Sequence, residues 1–123
     1  MLIIGSYSLH LQGKSNKPFP NDLDIIGTLT EYNAFCKFFQ SIIVSAMPLN
    51  AKKFHIKFKD KKNPFGVINV EFEVAWENSS AEGLMKHFST QKNNKYHISN
   101  GADALVFDLA DIDVCYAPKT RLS

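Results

Sequence analysis

Two aspartates, Asp22 and Asp24, stand one residue apart at the head of the apolar run that ends at Ile26. On an extended strand that spacing turns both carboxylates to one face, with their β-carbons roughly 6–7 Å apart. At an effective dielectric of 20 such a pair repels by roughly 2–3 kcal/mol, which a divalent cation would offset. Magnesium takes hard oxygen ligands, accepts one or two protein carboxylates and leaves positions for phosphate oxygens. Glu71 and Glu73 form a second same-face pair, on a strand whose other side is Val70, Phe72 and Val74. If that strand lies beside the Asp22 strand, three or four carboxylates converge. A cluster of that kind suits two metal ions about 3.5–4 Å apart and the chemistry of phosphoryl transfer. Gly5-Ser6, directly after the apolar run Met1 to Ile4, adds a turn where a glycine permits close backbone approach and a serine hydroxyl faces an anion such as a triphosphate tail.

Other readings of these residues stay open at this level. His55, Lys57 and Lys59 alternate along the preceding strand and offer Glu71 and Glu73 cross-strand ion pairs instead of a metal. A second Asp-x-Asp, Asp111-Ile112-Asp113 with Asp108 nearby, has no Gly-Ser turn before it and reads as a solvated strand edge. His10 lies one short helix beyond Ser6 and reads as a surface residue, while His55, His87 and His97 lack metal-ligand spacing. Trp76 and the phenylalanines read as core before they read as a stacking platform. Cys36 and Cys115 have no CxxC spacing, so both are expected reduced and mostly buried.

The elements that must position these groups follow from periodicity. Met1–Ile4 reads as a short buried strand, Ser6–Leu11 as one or two helical turns, and the Pro- and Asn-rich stretch 13–21 as an exposed loop. Asp22–Gly27 is a strand. Thr28-Leu29-Thr30-Glu31 matches a capping box, and Tyr32, Phe35, Cys36, Phe39, Ile42 and Ile43 then recur on one helical face until Pro48. Residues 54–58 and 68–76 alternate and flank a turn-rich segment, which predicts an antiparallel hairpin. Ser79-Ser80-Ala81-Glu82 repeats the capping pattern for a helix to about Phe88. Asn93-Asn94 and Asn100-Gly101 mark loops, and Leu105–Phe107 and Ile112–Tyr116 read as late strands. The class is α/β or α+β, a mixed, partly antiparallel sheet with helices packed on one face.

With 123 residues the chain fits a single domain over 1–123. Its 45% hydrophobic content places it outside the disordered class, and +2 net charge, fourteen basic against twelve acidic residues, excludes polyanion binding as an inference from overall charge alone. No apolar run approaches the roughly 20 residues of a membrane span and no secretory leader is evident, so a cytoplasmic address is expected.

Gly5-Ser6 after an apolar strand, Asp22-Leu23-Asp24 heading a second, and Glu71 following an apolar residue on a third together resemble the nucleotidyltransferase superfamily, best known from the DNA polymerase beta palm. The resemblance covers roughly residues 1–76. It implies Asp22 and Asp24 as ligands for magnesium or manganese, Glu71 as third ligand or base, with Glu73 its substitute if the register is off by two, and Gly5 and Ser6 at the nucleotide phosphates. It implies transfer of a nucleoside monophosphate from a nucleoside triphosphate, such as ATP, to an acceptor hydroxyl on protein, nucleic acid or a small molecule. The loop from Ser6 to Asp22 is longer than usual and the third acid is glutamate rather than the commoner aspartate. The alternative is therefore a weak or inactive domain of the same fold that binds a protein or nucleic acid, with a metal-dependent phosphodiesterase as a third reading. Residues 116–123 look like the start of the helical region that larger members carry. The expectation is thus a minimal member or a core that works with a protein partner or as an oligomer.

Overall fold

The computed structural model describes residues 1–14, 18–89 and 95–110. In chain order the elements are β1 (Leu2–Ile4), α1 (Gly5–Leu11), β2 (Asp22–Gly27), α2 (Leu29–Phe38), β3 (Ile43–Pro48), β4 (Lys53–Phe58), β5 (Asn69–Val74), α3 (Ser80–Ser89), β6 (Lys95–Asn100) and β7 (Asp103–Leu109). They form an α+β fold around one seven-stranded mixed sheet in the order β3-β4-β5-β2-β1-β7-β6. Strand β2 runs antiparallel to β1 and parallel to β5, and β1 runs parallel to β7. The pairs β3/β4, β4/β5 and β6/β7 are antiparallel.

Alternation along the strands divides the sheet into two unlike faces. On one, Leu23, Ile25, Ile56, Phe58, Val70, Phe72 and Phe107 are buried beneath Tyr7 of α1 and Tyr32 and Phe35 of α2. Phe35 is the hub of this core, its ring centroid lying between 4.9 and 6.4 Å from those of Phe39, Phe58, Phe65, Phe72 and Phe107. On the other face Leu2, Ile26 and Ala110 are covered by Ala81 and Phe88 of α3. The expectation that the helices share one face is therefore corrected. Consecutive apolar residues, Leu2-Ile3 in β1 and Ile25-Ile26 in β2, bury side chains on both faces, and the second face needs a helix of its own.

The Thr28 capping box forms as expected: Glu31 N–H donates to Thr28 Oγ1 at 3.1 Å and Thr28 N–H donates to Glu31 Oε1 at 2.9 Å. Helix α2 nevertheless stops at Phe38 rather than running toward Pro48, and Ile43–Pro48 becomes edge strand β3. Ile42, Ile43 and Val44 are a β-branched run, which favours a pleated strand, and pairing with β4 satisfies its backbone. At α3 the box is only half made. Ser79 Oγ accepts from Glu82 N–H, but Glu82 Oε1 accepts from the amide of Asn78, which sits at φ 65°. Strand β6 was not expected, because only Tyr96 and Ile98 mark its buried side. Asn100-Gly101, read as a loop, is the tight turn that joins β6 to β7, with Asn100 paired to Asp103 and Gly101 at φ 82°. The expected strand Ile112–Tyr116, the Asn93-Asn94 loop and the helical start at 116–123 lie outside the described residues.

Candidate functional site

Strand β2 changes character halfway. Its first half alternates, so Leu23 goes into the core while Asp22 and Asp24 turn to the opposite face; its second half is apolar on both sides. The parallel partner β5 sets Glu71 beside Asp24, Asn69 beside Asp22 and Glu73 beside Ile26. Paired residues on neighbouring strands point the same way at a spacing of about 4.8 Å. The condition on which the carboxylates converge is thereby met for Asp24 and Glu71. Glu73 is instead flanked by Ile26 and by Lys53 of β4, so the register sets Glu71, and not its substitute, next to the aspartate.

Burial and charge act together on this pair. Loss of solvent raises the Asp24 carboxyl, Glu71 raises it further by repulsion and by sharing a side-chain hydrogen bond, and Asp22 adds a smaller push. Lys53 draws it down, and the balance moves Asp24 from its ordinary 3.8 to about 6. Asp24 thus holds its proton more tightly than it would in water.

The rival expectation, a ladder of ion pairs from β4, is not what forms. His55 lies opposite Glu71, but its Nε2 is bonded to Asn69 Oδ1 at 3.0 Å. Among the described residues the ion pairs are Met1 ammonium–Glu31, Lys86–Glu82 and Lys95–Asp108, and none joins Glu71 or Glu73 to a lysine. Glu71 therefore turns to an acid rather than to a base. The same lysine pair accounts for Asp108, while Asp111, Asp113 and Cys115 lie outside the described residues. Cys36 is a free thiol, half-buried beside Tyr32, whose surroundings raise its pKa by burial.

Gly5 and Ser6 lie at the same end of the sheet, since Ile4 of β1 pairs with Asp24. Gly5 is buried with φ 73°, a left-handed conformation that a side chain would resist, and Ser6 is exposed. The turn is held from behind by two residues that the spacing argument passed over. Tyr7 Oη donates to Phe65 O and Ser8 Oγ donates to Ala110 O, each at 2.6 Å. Their signal was present in the sequence: polar groups directly after Gly-Ser on a helix too short to be held by its own bonds. Lys53 was also passed over as a site residue, and its alternation with Phe54 was the cue.

The donor set can be tested against a metal on these observations. Asp24 and Glu71 present hard oxygens side by side, and the repulsion that raises the Asp24 carboxyl is one that a divalent cation would offset. Among the described residues, however, no three His, Cys, Asp or Glu side chains are grouped as ligands. The expected ligands Asp22, Asp24 and Glu71 share one face of the sheet, with Asp24 and Glu71 paired across β2 and β5 and Asp22, exposed, two residues nearer the start of its strand. A strand rise sets Asp22 one pleat repeat, roughly 6–7 Å, from Asp24 along the strand, close enough for its charge to raise the Asp24 carboxyl.

Comparison with known families places residues 1–98 in a family described as Domain of unknown function (DUF7277), and the chain belongs to that family. No curated protein and no solved structure matches it.

Proposed function

We propose that this chain is a magnesium- or manganese-dependent nucleotidyltransferase that moves a nucleoside monophosphate from a nucleoside triphosphate to an acceptor hydroxyl, with pyrophosphate leaving, on a nucleotidyltransferase-like sheet. The observation that carries the proposal is the register of β2 against β5, which sets Glu71 beside Asp24 next to the turn at Gly5. Asp24 and Glu71 would hold the cation, and Asp22 is the second aspartate of that face. When bound, the cation would withdraw charge from the phosphate oxygens and favour departure of pyrophosphate. Glu71, beside Asp24, is placed to take the proton of the acceptor hydroxyl. Gly5 brings backbone close to the phosphates, and the Ser6 hydroxyl donates to one of them. Helix α3 covers the sheet at Ile26 and Leu2 and leaves the carboxylate end of β2 open to a nucleotide. Among the described residues no helix is long and apolar enough to cross a membrane, and a cytoplasmic setting, where nucleoside triphosphates are abundant, belongs to the same proposal.

The test combines ligand-induced stabilisation with product detection. Magnesium together with a nucleoside triphosphate is expected to raise the melting temperature of the wild type, because a ligand that binds only the native state stabilises it. Pyrophosphate release in the presence of an acceptor pool should be lost in Glu71→Gln. Equal shifts in the wild type and in Asp22→Asn/Asp24→Asn would overturn the enzyme and favour the binding module. Nucleotide hydrolysis without an acceptor would favour the phosphodiesterase.

A further inference from the structure

The face that carries Asp24 continues outward onto β4, where its character changes. Lys53, His55 and Lys57 sit opposite Glu73, Glu71 and Asn69, while the intervening Phe54, Ile56 and Phe58 pack into the core cluster. Lys59 continues the alternation one step beyond the strand and is exposed. Residues 52–62 hold six lysines against one aspartate, whereas the rest of the chain is net acidic. None of those lysines forms an ion pair among the described residues. Positive charge of one sign is thus concentrated on one strand of a chain whose total is nearly balanced, and it is left unneutralised.

Apolar surface accompanies that charge. Trp76 is 42% exposed, and its Nε1 donates to Ala51 O just before β4, which fixes the indole beside the lysine strand. Met47, 55% exposed, pairs with His55 from the edge strand β3. Lysines four and then two residues apart on one face, roughly 13 and 7 Å, with His55 between the first two and an open aromatic ring at one end, match the pattern of single-strand binders, in which cations follow the backbone and rings take unpaired bases. An acidic peptide would use the lysines but leave the indole without a flat partner.

We infer that β4 is a track for single-stranded nucleic acid, with phosphates on Lys53, Lys57 and Lys59 and a base on Trp76, leading a terminal hydroxyl toward Asp24 and Glu71. The track lies one strand, roughly 5 Å, from Glu71 and two strands, roughly 10 Å, from Asp24. The inference deepens the proposed function by naming the acceptor, and rests on it for what happens at the strand's end.

Fluorescence anisotropy with a labelled oligo(dT) of about twelve nucleotides, a length that fits single-strand sites, tests it without any reaction. Three phosphate contacts predict that log Kobs falls against log salt with a slope of about −2, and Lys57→Gln/Lys59→Gln should flatten that slope by about 1.4. Trp76→Ala should weaken binding about tenfold and Trp76→Phe should restore most of it, since phenylalanine keeps a stacking face. Both lysines are exposed, and an unchanged melting temperature will show the double variant folded. Absence of binding at about 50 mM salt, an unaltered slope in the lysine variant, or equal affinity for a duplex or for polyglutamate overturns the track. Asp24→Asn/Glu71→Gln should bind the oligonucleotide at least as tightly as wild type, because two repelling charges are gone. Nucleotidyl transfer to a small acceptor without oligonucleotide binding would sink the track and leave the reaction standing. Oligonucleotide binding without any effect of magnesium and nucleotide would do the reverse.

Discussion

Replacing Asp24 by asparagine should make the metal-free protein more stable at neutral pH. The rise of the Asp24 carboxyl from 3.8 to about 6 corresponds to about 3 kcal/mol of preference for the protonated form in the native state. The group is only partly buried, so solvent screening reduces the usable figure to about half, roughly 1.5 kcal/mol. The sign follows from proton linkage. Between pH 3.8 and about 6 the native state binds the proton more tightly than the unfolded chain, so the stability contributed by this group falls as pH rises through that window and is level above it. Asparagine does not titrate and can still donate to Glu71. The variant should therefore match wild type near pH 4 and exceed it near pH 8, by about 6 °C in melting temperature at roughly 4 °C per kcal/mol for a domain of this size. Thermal melts in chelator across pH 4 to 8 would measure the difference, and reading variant minus wild type cancels the titrating groups that do not interact with Asp24. A gap that is constant with pH, or a variant less stable than wild type at pH 8, would refute the reasoning that Asp24 and Glu71 repel across β2 and β5.

Three further substitutions test how the site is supported. Gly27→Ala would place a β-carbon 2.6 Å from Cζ of the buried Phe72, and overpacking of this kind should cost about 1–3 kcal/mol in denaturant melts. Thr28→Ala removes the acceptor for the Glu31 amide at the start of α2 and should cost about 1 kcal/mol, with Thr28→Ser restoring it. Gly5→Ala forces a side chain into φ 73° and should cost about 1–2 kcal/mol; because Gly5 adjoins Asp24 through β1, it should also weaken stabilisation by magnesium and nucleotide in the same melts.

Strands whose two faces differ were legible in the sequence. Asp22-Leu23-Asp24 and Val70-Glu71-Phe72-Glu73 declare their alternation, and the hairpin of β4 and β5 could be placed from it. The pairing of β2 with β5 was not, because it is a parallel contact across α2 and the β3/β4 hairpin and no local pattern encodes it. Helix α2 was overextended because Ile42 and Ile43 happen to continue a helical spacing after Phe39, and only the availability of β4 as a partner decides for strand. The placement of α3 on the second face was present in Leu2-Ile3 and Ile25-Ile26, consecutive apolar residues that no one-sided sheet would bury. For the site itself, residue types suggested the acids, whereas register decides which are neighbours: Asp24 pairs with Glu71, and Asp22 stands beside Asn69 at the exposed end of the strand.

That difference has a structural cause which bears on how the site would work. Because β2 is polar only in its first half, its carboxylates must lie at one end of the sheet, and α3 can cover the other half without touching them. Asp24 is deep enough to feel Glu71 and the loss of water, while Asp22, two residues closer to the end, is exposed. A strand can therefore grade the two aspartates by depth alone: one has its pKa raised by burial and its neighbour, the other stays in solvent. If a cation and a triphosphate bind together, Asp24 and Glu71 would be the first carboxylates to hold the cation, any proton on Asp24 being released to solvent, and the exposed Asp22 would join last. On this ordering Asp22→Asn should weaken nucleotide-dependent stabilisation less than Asp24→Asn does, and the reverse ranking in parallel melts would show that depth in the sheet does not set the hierarchy.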